Sequence, residues 1–339
     1  MSPLRTAVVG YGLAGSVFHA PLISAEQGMS LDTIVTSNAE RAAHARARYR
    51  GVCIVPTVDE LLADASAIDL VVIATPTPDH AAIAARTIEH RIATVVDKPL
   101  AVHAVDAERL IEAAAAAGVF LTVFQNRRWD GDFLTVTRLL SEGTLGDIYR
   151  FESRFEWLNP RPRPAWKTGT SGLDGGGVAY DLGAHLIDQA LQLFGPPTEV
   201  YGELLTHSPG AVNDDDSFIA IHHESGVRSH LWMSSHVAQR GPRFRVLGSA
   251  SAYTKWGLDQ QESQLASGMD PSDARFGVSA PETWGVLGPD GDTSPVPTER
   301  GRYTEFYAGV VAAITGGGTS VDPRDAVAGV RMIEHLHAQ

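Results

Sequence analysis

Three side chains in this sequence have the types and surroundings to move a proton and to stabilise developing charge: Lys98, Asp181 and His185. Lys98 stands in Asp97-Lys98-Pro99, directly after the apolar run Ala93 to Val96. An ammonium group at such a strand end can donate a hydrogen bond to a substrate oxygen and stabilise negative charge on it, with the proline setting a rigid or cis turn. A lone Lys-Pro more often marks an exposed turn, and the position at the strand end is what favours chemistry. Asp181 and His185 follow the glycine run Gly175-Gly176-Gly177. Their spacing of four places both on one helix face, next to a flexible approach. The imidazole then takes the proton of an alcohol while the carboxylate orients it and stabilises its charged form. The competing reading is a helix-capping aspartate and a satisfied surface histidine.

A second constellation holds a ligand rather than reacting with it. Gly10-Tyr11-Gly12-Leu13-Ala14-Gly15 follows the apolar run Thr6 to Val9 and satisfies G-x-G-x-x-G where a helix begins. The first glycine makes the tight turn, the second lets backbone approach a pyrophosphate and the third packs helix on strand. Free N–H groups at the helix start, those of Leu13 and Ala14 among them, then face the phosphates. Alone the pattern also fits a mere packing turn. The residue closing the second strand selects between the two nicotinamide dinucleotides, because an acid there binds the ribose 2′-hydroxyl and repels a 2′-phosphate. Here Thr36-Ser37-Asn38 carries no acid, and Arg41 follows one turn later. A guanidinium there pairs with a phosphate, so NADP is preferred over NAD; otherwise Arg41 is a solvated helix-face residue.

These residues need elements to position them. From Thr6 to Val123, short β-rich runs alternate with alanine-rich helical segments, the signature of βαβ units on a parallel sheet. Strands are expected at Thr6 to Val9, Leu31 to Thr36, Val52 to Val55, Leu70 to Ala74, Ala93 to Val96 and Phe120 to Val123, with helices at Ala39 to Tyr49, Asp79 to His90 and Val105 to Ala117, the last capped by Gly118. After Arg128 the pattern changes. A helix over Asp132 to Glu142 leads into strands at Ile148 to Phe155, Glu199 to Leu205, Phe218 to His222, Arg228 to Met233, Phe244 to Leu247 and Ala252 to Lys255, read as an antiparallel sheet. A helix over Val178 to Phe194 interrupts them, Asp259 to Pro297 reads as excursion loops, and a helix over Thr304 to Ile314 closes the chain. The fold class is α/β: a Rossmann dinucleotide-binding domain over 1–124, then an α+β substrate-binding and oligomerisation domain over 125–339 on a mostly antiparallel open sheet. The last helix is free to pack back on the first domain.

Composition narrows the function. The chain has 339 residues, 44% hydrophobic and 20% charged, as expected of two folded domains. A formal net charge of -13 opposes binding to nucleic acid or anionic lipid, which needs a basic face. With no signal core and no apolar stretch long enough to span a bilayer, a cytoplasmic protein without membrane attachment is expected. The single cysteine, Cys53, reads as a small buried hydrophobe in Val52-Cys53-Ile54-Val55. His222, His223, His230 and His236 lack a companion cysteine or carboxylate cluster, so no metal is expected. Asp214-Asp215-Asp216 reads as a solvated turn.

Taken in order, the glycine turn, Asp97-Lys98-Pro99 and the Asp181/His185 helix resemble the glucose–fructose oxidoreductase and inositol 2-dehydrogenase family over nearly the whole chain. That family carries Glu-Lys-Pro where this sequence has Asp97, which keeps the carboxylate. Phe18-His19-Ala20-Pro21, Phe124 to Asp130 and Tyr180 to Gln189 resemble the branch that includes NADP-dependent scyllo-inositol dehydrogenases. The resemblance implies Lys98, Asp181 and His185 as the catalytic group. It implies a nicotinamide site near Asp97, Lys98 and Pro99 bordered by Thr75, Pro76, Thr77 and His80, and a substrate crevice faced by Asn126 and Arg127, with Asn126 also near the cofactor. Arg127 and Arg128 are otherwise a solvated pair or a bridge between domains. Trp166 and Lys167 cap the pocket or have no role. The expected activity is hydride transfer between a polyol, cyclitol or sugar and the nicotinamide, in a homodimer or homotetramer. A non-catalytic dinucleotide-binding regulator, a dehydrogenase of another carbonyl substrate and an oxidise–eliminate–reduce glycoside cleavage are the alternatives.

Overall fold

The computed structural model describes residues 2–159 and 169–339, so Trp166 and Lys167 lie outside the described residues. The chain divides into two compact units. One comprises Met1–Asn126, Gln261–Phe276 and Arg302–Val327; the other comprises Arg127–Gln260, Gly277–Gly301 and Ala328–Gln339. Each unit thus draws on three stretches of chain, where the sequence reading drew one boundary after residue 124.

In the first unit, β1 (Leu4–Val9), β2 (Met29–Val35), β3 (Cys53–Val55), β4 (Leu70–Ile73), β5 (Ala93–Asp97) and β6 (Leu121–Phe124) form one sheet in the order β3-β2-β1-β4-β5-β6. Every pairing is parallel. The winding reverses between β1 and β4, the place where open α/β sheets leave a crevice at the carboxyl ends of their strands. β4 reads Leu70-Val71-Val72-Ile73 with no exposed surface at all, as a strand covered on both faces must be. The alanine-rich segments form the helices Ala39–Arg48, His80–Glu89 and Ala104–Ala117. Asn38 Oδ1 caps the first by accepting the Arg41 N–H at 2.9 Å, and Gly118 ends the third at φ +66, where glycine has no side-chain penalty. The helix Thr304–Ile314 belongs to this unit, with Phe306 edge-on to Phe124 at 4.8 Å between centroids.

The second unit is built on β7 (Ile148–Glu156), β8 (Pro197–Leu205), β9 (Asp216–His223), β10 (Arg228–Ser234), β11 (Phe244–Gly248), β12 (Ala252–Lys255), β13 (Gly285–Leu287) and β14 (Ser294–Val296), in the order β14-β13-β12-β11-β7-β10-β9-β8. The sheet is mostly antiparallel, as the sequence leads one to expect, with β7 and β10 running parallel within it. Parallel neighbours need a crossover, and here the connection carries the helix Ala184–Phe194 and the β8–β9 hairpin. That helix packs on β7 and β10, with Phe194 and Phe151 rings 5.3 Å apart.

Other expectations fail for local reasons. Cys53 is exposed, because β3 is a three-residue edge strand and its first side chain faces outward. Asp259 to Pro297 is not all loop: it holds the helix Gln261–Ala266 and strands β13 and β14. These are too short to show a period and are fixed by long-range contacts, such as Gln261 Oε1 accepting the Tyr303 N–H at 2.7 Å. The chain closes not with Thr304–Ile314 but with a further helix, Pro323–His337.

Candidate dinucleotide and catalytic sites

The three glycines of the turn have different surroundings. Gly10 closes β1 at φ +95, and a Cβ on it would lie 2.6 Å from the Ala74 carbonyl oxygen. A Cβ on Gly15 would lie 2.0 Å from the Gly10 carbonyl oxygen, so that contact needs glycine for packing alone. Gly12 is different: the atom nearest its Cβ position is Arg41 Nη1, at 3.8 Å. No backbone crowds it, leaving the close approach open for a ligand. Leu13 is exposed, and Ala14 opens the helical segment Ala14–His19, a wide π-helical turn continued by Ala20–Ala25. Ser37, Asn38 and Arg41 are exposed after β2, Asn38 serving as the helix cap. The guanidinium of Arg41 therefore reaches back to the glycine turn.

The remaining sites of this unit follow the other strands. Thr75 and Pro76 follow β4, and His80 begins the next helix, buried, with Nδ1 2.8 Å from the Pro99 carbonyl oxygen and Nε2 2.9 Å from that of Thr75. Asp97 is the last residue of β5, and its Oδ1 accepts the Lys98 N–H at 2.8 Å. Its Oδ2 lies 3.7 Å from Nε2 of the fully buried His19, whose Nδ1 is 2.7 Å from the Tyr307 hydroxyl. Burial pushes the Asp97 carboxyl up, but the His19 imidazole, Lys98 and His80 outweigh it and hold it below the usual carboxylate range. The Lys98–Pro99 peptide is cis. Asn126, 4% exposed, opens the turn Asn126–Trp129 after β6. Every dinucleotide-site residue expected from the sequence thus lies at the carboxyl edge of the parallel sheet.

In the second unit, Asp181 and His185 differ from the expected pair on one regular helix. A π-helical turn over Ala179–Gly183 carries Asp181, exposed to solvent, before the α-helix Ala184–Phe194 begins with His185 buried. His185 is therefore not a surface histidine. Its ring meets Phe155 edge-on at 6.3 Å, and the guanidinium of Arg127 lies 5.3 Å from the same ring. The helix is tied to the arginine pair: Arg128 makes two bonds to Asp188, at 2.9 and 2.6 Å, and Gln189 Nε2 donates to the Arg127 carbonyl at 2.8 Å. Arg128 is thus held in a mostly buried ion pair rather than solvated. Its partner Asp188, three residues beyond His185, has a spacing that could have suggested it. Beneath them the buried Arg243 donates to Gln189 Oε1 at 2.8 Å and stacks over Phe155 at 4.1 Å.

Asp214 and Asp215 overturn the solvated-turn reading, being 3% and 0% exposed. Asp214 Oδ2 accepts the Ala179 N–H at 2.8 Å and the Ser217 hydroxyl at 2.7 Å, while its carbonyl accepts the Val178 N–H at 3.1 Å. It therefore fixes the start of the segment bearing Asp181 and His185. Burial pushes its carboxyl up. The glycine run is correspondingly not a flexible approach. A Cβ on Gly177, at φ +96, would lie 1.7 Å from Asp214 Oδ1, and one on Gly176 would lie 2.1 Å from the Thr170 carbonyl oxygen. Asp215 receives the His207 and Ser208 N–H groups at 2.8 and 2.9 Å, and although burial opposes it, these bonds and His236 hold it at about 2. His236, 3.1 Å from Asp215, and His223, held by Gly195 and Ser229, have structural partners. Among the described residues no cluster of three or more His, Cys, Asp or Glu side chains could hold a metal ion.

A six-stranded Rossmann sheet with a glycine turn open only at Gly12, followed by a unit on a mostly antiparallel sheet, defines a pyridine-nucleotide-binding oxidoreductase. Residues 4–125 match the model of the oxidoreductase family with an NAD-binding Rossmann fold, and residues 133–254 match that of the GFO/IDH/MocA C-terminal domain. The chain is 33% identical to the scyllo-inositol 2-dehydrogenase (NADP(+)) IolW of Bacillus subtilis over 98% of its own length and 92% of that protein's. It is 36% identical to the uncharacterized oxidoreductase YdgJ of Escherichia coli over 94% of this chain and 91% of that one. Its fold matches the solved structure of Bacillus subtilis yvaA with a TM-score of 0.91 at 32% identity, covering 99% of this chain and 96% of that one. This chain belongs to the GFO/IDH/MocA oxidoreductase family. Among the described residues no helix is long and apolar enough to cross a membrane.

Proposed function

We propose that this oxidoreductase is an NADP-dependent dehydrogenase of a polyol, with an inositol-like cyclitol as the first substrate to try. The observation that carries the cofactor reading is Arg41 Nη1, 3.8 Å from the Cβ position of Gly12, on the helix after a β2 end that leads into Ser37 where an acid would repel a 2′-phosphate. The substrate class is supported by similarity to the NADP-dependent scyllo-inositol 2-dehydrogenase over nearly the full chain.

When bound, the dinucleotide supplies the two-electron chemistry at its nicotinamide. The residues of the chain handle the proton and the charge. His185 takes the proton of the reacting hydroxyl as general base. Lys98 donates a hydrogen bond to the same oxygen and stabilises charge on it. Asp181 orients and stabilises the imidazole. Asn126 and Arg127 bind neighbouring hydroxyls, so that a substrate lacking one leaves a polar group without its partner. We assign the chain to homodimers or homotetramers and to the cytoplasm as part of the same reading.

The test is NADPH formation with a panel of inositols and aldoses, for the wild type, Lys98→Ala and His185→Ala. Each substitution is expected to lower kcat/KM by about a hundredfold or more while NADP still binds. Full activity in Lys98→Ala would sink the catalytic assignment. Tight NADP binding with no turnover on any polyol would favour a non-catalytic dinucleotide sensor.

A further inference from the structure

The two ends of a glutamine amide differ in that one accepts and the other donates, so its neighbours decide which way it points. Gln189 is fully buried on the helix Ala184–Phe194, one turn after His185 and therefore on the same helix face. Arg243, 2% exposed and directly before β11, can only donate from its guanidinium, and its Nη2 lies 2.8 Å from Gln189 Oε1. The Arg127 backbone carbonyl can only accept, and it lies 2.8 Å from Gln189 Nε2. One orientation of the amide satisfies both neighbours. The reverse would set donor against donor at one end and acceptor against acceptor at the other. The Asp130 N–H reaches the same Arg127 carbonyl at 3.3 Å and closes the turn on it.

The same guanidinium reaches His185 by a second route. Arg243 donates to the Ser153 hydroxyl and lies 4.1 Å from the Phe155 ring, two side chains on one buried face of β7. Phe155 is also the ring that His185 meets edge-on at 6.3 Å and over which the Arg127 guanidinium lies at 5.3 Å. Two cations beside one ring repel each other unless each has a counter-charge, and the residues on either side of Gly131 supply them. Asp130 lies 3.7 Å from Arg127, and Asp132 lies 3.7 Å from Arg243. We propose that Arg243 and Gln189 are positioning residues, a buried relay that fixes the backbone of Arg127 through the amide and holds the helix of His185 against β7. Every group in the relay lies within the second unit. Its consequence for turnover rests on the dehydrogenase reading, in which Arg127 binds substrate and His185 takes the proton.

Gln189→Glu separates the two bonds. One carboxylate oxygen still accepts from Arg243, while the other stands against the Arg127 carbonyl and drives it away. In crystals of the full chain grown at about pH 8, where a carboxylate is ionised, the Arg127 carbonyl is expected beyond hydrogen-bond distance of residue 189 with the Arg243 contact kept. A carbonyl that stays in place overturns the relay. Kinetics use the inositol or aldose that the wild type oxidises fastest. Gln189→Glu is expected to raise KM about tenfold, with the smaller part of the loss in kcat. Gln189→Met, of similar length but able to make neither bond, should also lower kcat about tenfold, because the helix of His185 then loses its tie to Arg243. A purely structural role would lower melting temperature and active fraction in both variants and leave KM unchanged, and that result overturns the proposal. If Gln189→Met does not fold, the Gln189→Glu measurements decide. If no polyol turns over, the crystal structures still decide the relay, so its failure is distinct from a failure of the dehydrogenase reading.

Discussion

The molecule has two glycine runs that look alike in sequence and do opposite things in space. In Gly10-Tyr11-Gly12-Leu13-Ala14-Gly15 the outer glycines are crowded by backbone, while Gly12 meets nothing closer than the tip of Arg41, so its missing side chain leaves room for something that is not protein. In Gly175-Gly176-Gly177 the missing side chains are filled from within: Asp214 occupies the space at Gly177, and Thr170 with Asn213 that at Gly176. The first run leaves the backbone at Gly12 uncrowded by other backbone, and the second presents backbone to a buried carboxylate that caps the segment leading to His185. A glycine therefore marks a close approach without saying whether the visitor is a ligand or the protein itself.

Substitutions can break or sharpen this contrast. The largest effect is expected from Gly177→Ala, which both overlaps Asp214 and places an alanine at φ +96. A loss of about 3 kcal/mol or more in urea unfolding is expected, with kcat falling further than dinucleotide affinity. If the variant is as stable as wild type, the protein-facing reading of the second run fails. Gly12→Ala should do the reverse. Its melting temperature should hold or rise slightly, because a Cβ fits the free protein, while NADPH binding weakens about tenfold or more in fluorescence titration. Arg41→Ala sharpens the same site. It should cost NADP about tenfold in dissociation constant and leave NAD nearly untouched, whereas equal losses for both would move the guanidinium's role to the shared pyrophosphate.

The smallest expected effect concerns pH. Asp215 is held at about 2, below its ordinary value of 3.8, so the folded state releases its proton more readily than the unfolded state. The stability it contributes is present above about pH 4 and is lost as pH falls toward 2. Its neighbour Asp214 is shifted the other way by burial, so its contribution falls as pH rises above the ordinary carboxylate value. Acid denaturation of Asp215→Asn should accordingly be shallower than wild type between about pH 4 and pH 2. Parallel curves would remove Asp215 as the source of that slope.

The sequence by itself determined the parts that are local. The glycine spacing, the alternation of β-rich and alanine-rich segments, the Asn38 cap and the Gly118 terminus each follow from backbone sterics and hydrogen bonding within a few residues, and the structure carries all of them. The DKP lysine at the end of β5 was legible for the same reason, since strand ends in a parallel sheet share an edge. What the tertiary structure alone decided is where charge goes when it is buried. Asp214 and Asp215 sit in a polar tripeptide whose composition reads as solvated surface, and only partners brought from 35 residues away at Ala179, or across a turn at His207 and Ser208, satisfy them inside. The same holds for Arg128 with Asp188 and for Arg243 with Gln189, pairs separated by 60 and 54 residues. A charged side chain carries no mark of its own burial; the fold must first deliver the opposite charge or the donor that makes burial tolerable.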